Sequence, residues 1–412
     1  MTRNLLFWYV VSLFLFACGE ENSTSQINPT QPNDHIQDQF SLISPDKSGI
    51  QFVNQIQGNE NVNHLTWDAM YYGGGVGIGD INNDGLPDIF LSGNQVNDAI
   101  YLNKGNLQFE DITESSGISQ HQGWSNGVSM ADVNADGFLD IYVSRSSWKM
   151  DNEDPAYRAN ALFINNGDLT FTESATQYGL DNKGYSTQGV FTDYDHDGDL
   201  DMFLLNAPSN NLTQKVAYQN SGFPDFTADR LYKNENGSFS DVSEVAGVKA
   251  FSFGLGVVAA DVNHDGWVDI YVANDYERPD YLYINQQDGT FKNELDEKIK
   301  HTPFTAMGCD AADINNDGFS DLVVLDMQSD DHVRSKTNMP TMDPERFWRF
   351  VAQGYNYQYM SNVLQLNHGA GYFSDIAQMA GIASTDWSWS VLLADLDHDS
   401  FKDMYVTNGI NY

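Results

Sequence analysis

The stretch Asp80-Ile81-Asn82-Asn83-Asp84-Gly85-Leu86-Pro87-Asp88, followed at once by Ile89-Phe90-Leu91, constrains this chain more than any other feature, because its frame, D-x-N/D-x-D-G/S-x-x-D, occurs six times. The other copies span residues 132–140, 193–201, 261–269, 313–321 and 395–403. Oxygen-bearing side chains alternating along a tight turn converge on one hard cation, and Ca²⁺ takes six to eight oxygens at about 2.3–2.6 Å. The frame is not an EF-hand, whose loop closes with a bidentate Glu at position 12 between two helices. Position 12 of the first copy is Leu91, inside an apolar run.

Positions 1, 3, 5 and 9 supply the candidate side-chain ligands, and position 7 a backbone carbonyl. They are Asp80, Asn82, Asp84 and Asp88; Asp132, Asn134, Asp136 and Asp140; Asp193, Asp195, Asp197 and Asp201; Asp261, Asn263, Asp265 and Asp269; Asp313, Asn315, Asp317 and Asp321; Asp395, Asp397, Asp399 and Asp403. Glycine at position 6 permits the sharp turn with positive φ. The sixth loop departs, with Ser400 there and Lys402 beside Asp403.

The loops explain much of a formal net charge of −38, which six bound Ca²⁺ ions would reduce to −26. Such acidity repels nucleic acid. At affinities of roughly 10⁻⁴–10⁻³ M, ten-fold saturation stabilises by about 1.4 kcal/mol per site, so six sites contribute on the order of 8 kcal/mol, comparable with a domain's whole stability. The fold is therefore expected to depend on calcium. The two cysteines, Cys18 and Cys309, offer no internal disulfide framework, and Cys309 reads as a small core residue.

Along the chain, residues 1–17 carry Arg3 and an apolar run and read as a secretory signal peptide. Leu15-Phe16-Ala17-Cys18 resembles a bacterial lipobox, which implies Cys18 as a lipidated N-terminus; an ordinary signal peptide cut nearby is the other reading. Residues 18–39 are too polar to bury and form a tether. Glu20-Glu21 resembles the acidic signal of lipoproteins exported to the outer cell surface. The expected location is the bacterial outer membrane, touched only through the lipid.

From residue 40 a repeat sets in. After each loop comes a continuous apolar run such as Ile141-Tyr142-Val143, the pattern of a strand buried on both faces. A hairpin over Asn and Gly follows the first five, as in Leu162-Phe163-Ile164-Asn165 to Phe171. Repeats of more than fifty residues with four strands each fit propeller blades. The sixth core lacks its outer hairpin, and residues 40–50 look like an orphan outer strand able to close the ring; the alternative is that further blades follow.

The cores from Gly75-Val76-Gly77-Ile78-Gly79-Asp80 through Leu91, with their five relatives, resemble FG-GAP (VCBS) repeats of the integrin-alpha-like β-propeller class. The resemblance implies an all-β propeller over residues 40–412, with six loop-bearing blades visible and six or seven in the complete ring. The pattern is similar to secreted bacterial proteins that carry an ASPIC/UnbV domain near the C-terminus; none is present here, which implies that the propeller continues beyond Tyr412.

The loops lie between first and second strands, so the opposite face is the one to search for a ligand. Eight positions before the loops stand Tyr72, Trp124, Tyr185, Phe253, Thr305 and Trp387. The five aromatics either pack between blades or form a stacking surface for sugars or peptides. Loops on that face hold Arg145, Lys149, Arg158, Lys215, Arg230, Arg278, Arg334, Lys336, Arg346 and Arg349. These make an anion-binding face, or are solvated charge on long loops. In the longest insertion, Asp343-Pro344 and Gly354 bracket an expected short helix, placed to lie over the channel mouth.

Catalytic signatures are absent: there is no nucleophile elbow, phosphate loop or zinc pattern. His196, His264 and His398, at position 4 of their loops, are expected to face solvent, whereas His121, His301 and His332 could meet Asp330 and Asp331 on the other face. The expectation is a calcium-stabilised module binding carbohydrate or protein at the cell surface, and not an enzyme. The alternative is a polysaccharide lyase or hydrolase on the same face.

Overall fold

The computed structural model describes residues 40–60, 63, 67, 70, 72–118, 123–147, 154–207, 222–276, 278–337, 343–369 and 371–409. Signal, tether, Cys18, His121, Lys149 and Lys215 lie outside the described residues. Among the described residues, no helix is long and apolar enough to cross a membrane.

Within the compact unit Ile43–Tyr412 the architecture is all-β, a propeller of antiparallel blades. Blade 1 holds β1 (Val76–Gly79), β2 (Asp88–Leu91), β3 (Ala99–Asn103) and β4 (Phe109–Asp111); blade 2 holds β5 (Trp124–Ala131), β6 (Asp140–Ser146), β7 (Ala161–Asn165) and β8 (Phe171–Glu173). Blade 3 has β9 (Tyr185–Thr192), β10 (Asp201–Ala207), β11 (Arg230–Asn234) and β12 (Phe239–Asp241); blade 4 has β13 (Gly254–Ala260), β14 (Asp269–Asn274), β15 (Tyr281–Asn285) and β16 (Phe291–Asn293). In blade 5, β17 (His301–Pro303) precedes β18 (Cys309–Ala312) and β19 (Asp321–Val324); β20 (Tyr357–Tyr359) then pairs in parallel with β17, ahead of β21 (Val363–Asn367) and β22 (Phe373–Asp375). Blade 6 is the pair β23 (Ser388–Ala394) and β24 (Asp403–Asn408). Strands run in sequence order from axis to rim, and successive innermost strands pack side by side.

The apolar runs behave as the sequence dictates. β6 and β10 are buried along their whole length, and the cores form between blades. Phe90, Ile100 and Leu102 of blade 1 meet Ile141, Val143 and Phe163 of blade 2, and the pattern repeats through to Val323, Leu325 and Leu364 against Val391 and Leu393 of blade 6. Each fully buried Phe, Leu or Ile contributes about 1.5–3 kcal/mol.

Blade 6 leaves Leu392 and Tyr405 half exposed. Residues 40–44 form no strand, so the expected outer strand is not built. The residues after it do take a blade-like position. Pro45–Ser48 make one helical turn ended by Gly49 at φ 82°, as Ala175–Tyr178 does before Gly179 at φ 80°. A Cβ on Gly49 would lie 2.3 Å from the Phe109 carbonyl oxygen of blade 1, and one on Gly179 2.7 Å from that of Phe239 in blade 3. The segment thus sits on blade 1 as the outer turns of blades 1, 2 and 3, ending at Gly117, Gly179 and Gly247, sit on their successors.

Candidate metal loops and the face opposite them

All six acidic loops share one backbone. Position 4 is left-handed throughout, from Asn83 at φ 59° to His398 at φ 63°, and Ser400 adopts φ 75° in place of glycine. The first-position carboxylate clamps the turn: Asp80 Oδ1 accepts from the Asp84 amide at 3.1 Å and Oδ2 from the Gly85 amide at 2.7 Å. In loops 1, 2, 4 and 5 the third-position Asn donates Nδ2 to the fifth-position carboxylate, as Asn134 does to Asp136 at 3.0 Å.

The ninth-position Asp serves the scaffold. Asp140 Oδ2 accepts from the Val133 amide at 3.0 Å and Oδ1 from the Asn165 amide at 2.8 Å, tying loop to third strand. Equivalent pairs hold Asp88, Asp201, Asp269 and Asp321. Burial pushes Asp140 up to about 6 and Asp201 and Asp269 up to about 7. Each oxygen keeps a lone pair, so a ninth-position ligand would share itself between ion and backbone.

The donors fit a hard cation. Asp193, Asp195 and Asp197 bring one oxygen each within 4.8 Å of one another, as do Asp395, Asp397 and Asp403. Asp193 Oδ1 is moreover buried without a hydrogen-bond partner, an arrangement that calls for a positive ion.

Neighbouring loops also hold one another. His196 stacks on Trp267 with centroids 4.0 Å apart, His264 meets Phe319 edge-on at 5.3 Å, and Asn83 Nδ2 donates to the Gly137 carbonyl at 2.9 Å. His196 and His264 remain exposed, as expected, and each also touches the next loop.

On the opposite face the structure corrects the expected stacking ring. Trp124, Tyr185 and Phe253 are buried, and Tyr72 and Trp387 are half-buried. Trp124 packs edge-on against Trp67 at 4.1 Å, Tyr185 lies under Arg158 at 4.7 Å, and Tyr72 meets Trp389 at 5.5 Å across blades 1 and 6. The anion face is corrected likewise. Arg145 is buried, 3.7 Å from Asp98, and Arg230 is buried, 2.7 Å from Asp225. Arg334 lies 3.0 Å from Asp386 and Arg278 rests over Phe223 at 5.6 Å, which leaves Lys336 and Arg349 as the exposed members of the predicted set among the described residues.

Two features stand where ligands could enter. A cavity of about 380 Å³ runs along the axis, lined by Gly75, Gly127, Gln188, Gly256, Gly308 and Ser390, one residue in or immediately before each innermost strand. The insertion between β19 and β21, at the end away from the acidic loops, builds an aromatic platform. Its helix, Pro344–Ala352, forms as expected, with Asp343 Oδ1 accepting from the Glu345 amide at 2.9 Å and Pro344 at the first position. The Phe347 ring lies parallel to Tyr357 at 5.9 Å and to Tyr359 at 5.6 Å and carries Trp348 edge-on at 5.1 Å. Trp348 is 60% exposed, Tyr357 45% and Tyr359 42%. Sequence reasoning missed this platform, although the alternation Tyr355-Asn356-Tyr357-Gln358-Tyr359 was its signal. Beside it His301 Nε2 lies 3.0 Å from Asp375, with Tyr359 5.3 Å away.

The model of the FG-GAP-like repeat matches residues 80–143, 216–272 and 261–324. Cartilage acidic protein 1 of Xenopus tropicalis is 27% identical over 241 residues, which is 57% of this chain and 34% of that protein. The human protein is 24% identical over 242 residues, 58% of this chain and 34% of its own length. The chain thus spans about a third of the length of these curated relatives. Among solved structures, an Agrocybe aegerita lectin described for recognition of non-reducing terminal N-acetylglucosamine aligns at TM-score 0.38 and 17% identity, covering 73% of this chain and 64% of its own. The Bacillus licheniformis rhamnogalacturonan lyase PL11 aligns at TM-score 0.39 and 11% identity, over 82% and 57%. The chain carries FG-GAP-like repeats, folded as propeller blades, and is homologous to cartilage acidic protein 1 over rather more than half its length.

Proposed function

We propose that this propeller is a calcium-stabilised binding module that recognises carbohydrate through the face opposite its acidic loops. The observation that carries this is the exposed platform of Trp348, Tyr357 and Tyr359, where most other large aromatics among the described residues are packed away. Flat, rigid rings offered edge to edge suit the C–H faces of sugars, and two-torsion side chains lose little entropy on binding. Calcium would be held by the first-, third- and fifth-position oxygens of the loops, shared with the ninth, and would supply fixed positive charge to an otherwise self-repelling turn. Lipid attachment through Cys18 would hold the module on the outer membrane.

The test is binding of the soluble region to a glycan array, repeated with Trp348→Ala and Tyr357→Ala. A glycan signal that falls about tenfold in each variant is the expected result. Glycan binding unchanged in both variants overturns the platform as the site, and capture of protein ligands alone overturns the carbohydrate reading. A second reading, polysaccharide cleavage at the same face, is favoured by the His301–Asp375 pair beside Tyr359. Product formation abolished by His301→Ala or Asp375→Ala would replace the binding reading with an enzymatic one.

A further inference from the structure

The third loop differs from its five relatives in what neutralises it. Its third position is Asp195, so no side-chain amide is available to donate to Asp197. The donor comes instead from the third strand of the same blade: Lys233 Nζ lies 2.5 Å from Asp195 Oδ2 and 3.2 Å from Asp197 Oδ2. At the same strand position, one residue before the terminal asparagine, blades 1, 2, 4 and 5 carry Leu102, Ile164, Ile284 and Leu366. The lysine is thus particular to the loop that lacks the amide. Loop 6 also has aspartate at position 3, Asp397, and no lysine among the described residues pairs with it.

The substitution is incomplete in a telling way. In the other five loops the first-position Oδ1 accepts from the fifth-position amide, at 3.0–3.1 Å. In loop 3 that bond is missing, and Asp193 Oδ1 is buried without a partner. The ammonium serves two of three converging carboxylates and leaves the third facing the same point. A divalent cation seated there would meet Asp193, Asp195 and Asp197 together, and would stand against a unit positive charge already in contact with two of them.

We propose that Lys233 is the resident cation of the third loop and competes with calcium for it, so that this loop is the weakest calcium site of the six and keeps its turn when the ion is absent. The proposal rests on the reading of the loops as calcium sites. Breaking the lysine's charge-assisted contacts is a cost that the other loops do not meet.

The test is Lys233→Ile, which installs the residue of blades 2 and 4, with Lys233→Met as the variant that keeps the straight stem if the first does not fold. Calcium titration by calorimetry should show one site lagging in the parent protein and becoming about tenfold tighter in the variant. Thermal melting supplies a second readout. In chelator the variant should melt below the parent, because Asp195 and Asp197 lose their counter-charge, and saturating calcium should close the gap. Identical isotherms with a melting gap indifferent to calcium overturn the proposal and reduce Lys233 to an ordinary ion pair. Absence of calcium uptake by both proteins is a different failure, that of the calcium reading itself.

Discussion

Asn285 donates Nδ2 to the carbonyl of Tyr194 at 2.8 Å, reaching from the third strand of blade 4 into the acidic loop of blade 3. Its remaining groups are also engaged: Nδ2 touches the Val268 carbonyl at 3.3 Å, and Oδ1 accepts from the Gln287 amide at 2.9 Å. Asn165, Asn234 and Asn367 make the same bridge, to Ile81, Val133 and Val262 of the preceding blades. The loops are thus part of the inter-blade joint.

Removing such an amide should cost more than removing an ordinary hydrogen bond, because it strands two carbonyls and an amide away from water. Asn285→Ala is expected to lose about 3 kcal/mol, read as a lower midpoint in chemical denaturation. Asn103 is the internal control. Its Nδ2 reaches the Pro87 carbonyl of its own blade at 2.8 Å, and no cross-blade partner is recorded for it among the described residues. Asn103→Ala should cost about 1 kcal/mol. Equal losses at the two positions would refute the bridge as the source.

Two buried carboxylates away from the loops predict the direction of the pH response. Burial pushes Asp229 and Asp280 up to about 7, against the partial relief of hydrogen bonds from Asn206 and Ser252 to the first and from Tyr271 and Asn274 to the second. A carboxyl raised in the fold stabilises most below its unfolded value near 4 and loses that contribution as pH climbs through about 7. Groups held low, such as Asp225, are ionised in both states above pH 5 and add no slope there. Metal-free protein should therefore melt higher at pH 5.5 than at pH 8. Asp280→Asn, which keeps an acceptor for Asn274 and a partner for Tyr271, should flatten the trend.

The repeats were legible because each loop encodes its own turn, and the helix Pro344–Ala352 because Asp343 and Pro344 mark its start locally. Side-chain direction on the innermost strands was not. Register shifts interrupt β5 between Ser125 and Val128, β13 between Gly254 and Gly256, and β23 between Ser388 and Ser390. An extra residue reverses the alternation of faces, so counting back eight places from a loop to Trp124 or Phe253 gave the position and not the exposure. Arg145 failed for another reason. Its partner Asp98 belongs to the neighbouring blade, a proximity that only the packing of blade on blade creates.

Export can be checked independently of the fold. If Cys18 is the lipidated terminus, metabolic labelling with palmitate should mark the protein, and Cys18→Ser should abolish the label and release the chain from the membrane fraction. Labelling that survives the substitution refutes the anchor.

Calcium removal is the prediction with the widest reach. Each loop packs like charges into one turn, and contacts to the next loop, such as Asn83 to Gly137 or His196 to Trp267, couple neighbouring local equilibria. Loop 6 is the most exposed to loss: Asp395, Asp397, Asp399 and Asp403 share it with neither a third-position amide nor a lysine pairing among the described residues. Chelation should lower the melting midpoint of the soluble region, and loop 6 with β24 should gain amide exchange first, before loop 3 with its lysine. Asp397→Asn, which restores the amide of the four Asn-bearing loops, should slow that exchange in chelator. A midpoint indifferent to chelator would refute the dependence on calcium, and faster exchange at loop 3 than at loop 6 would refute the order of failure.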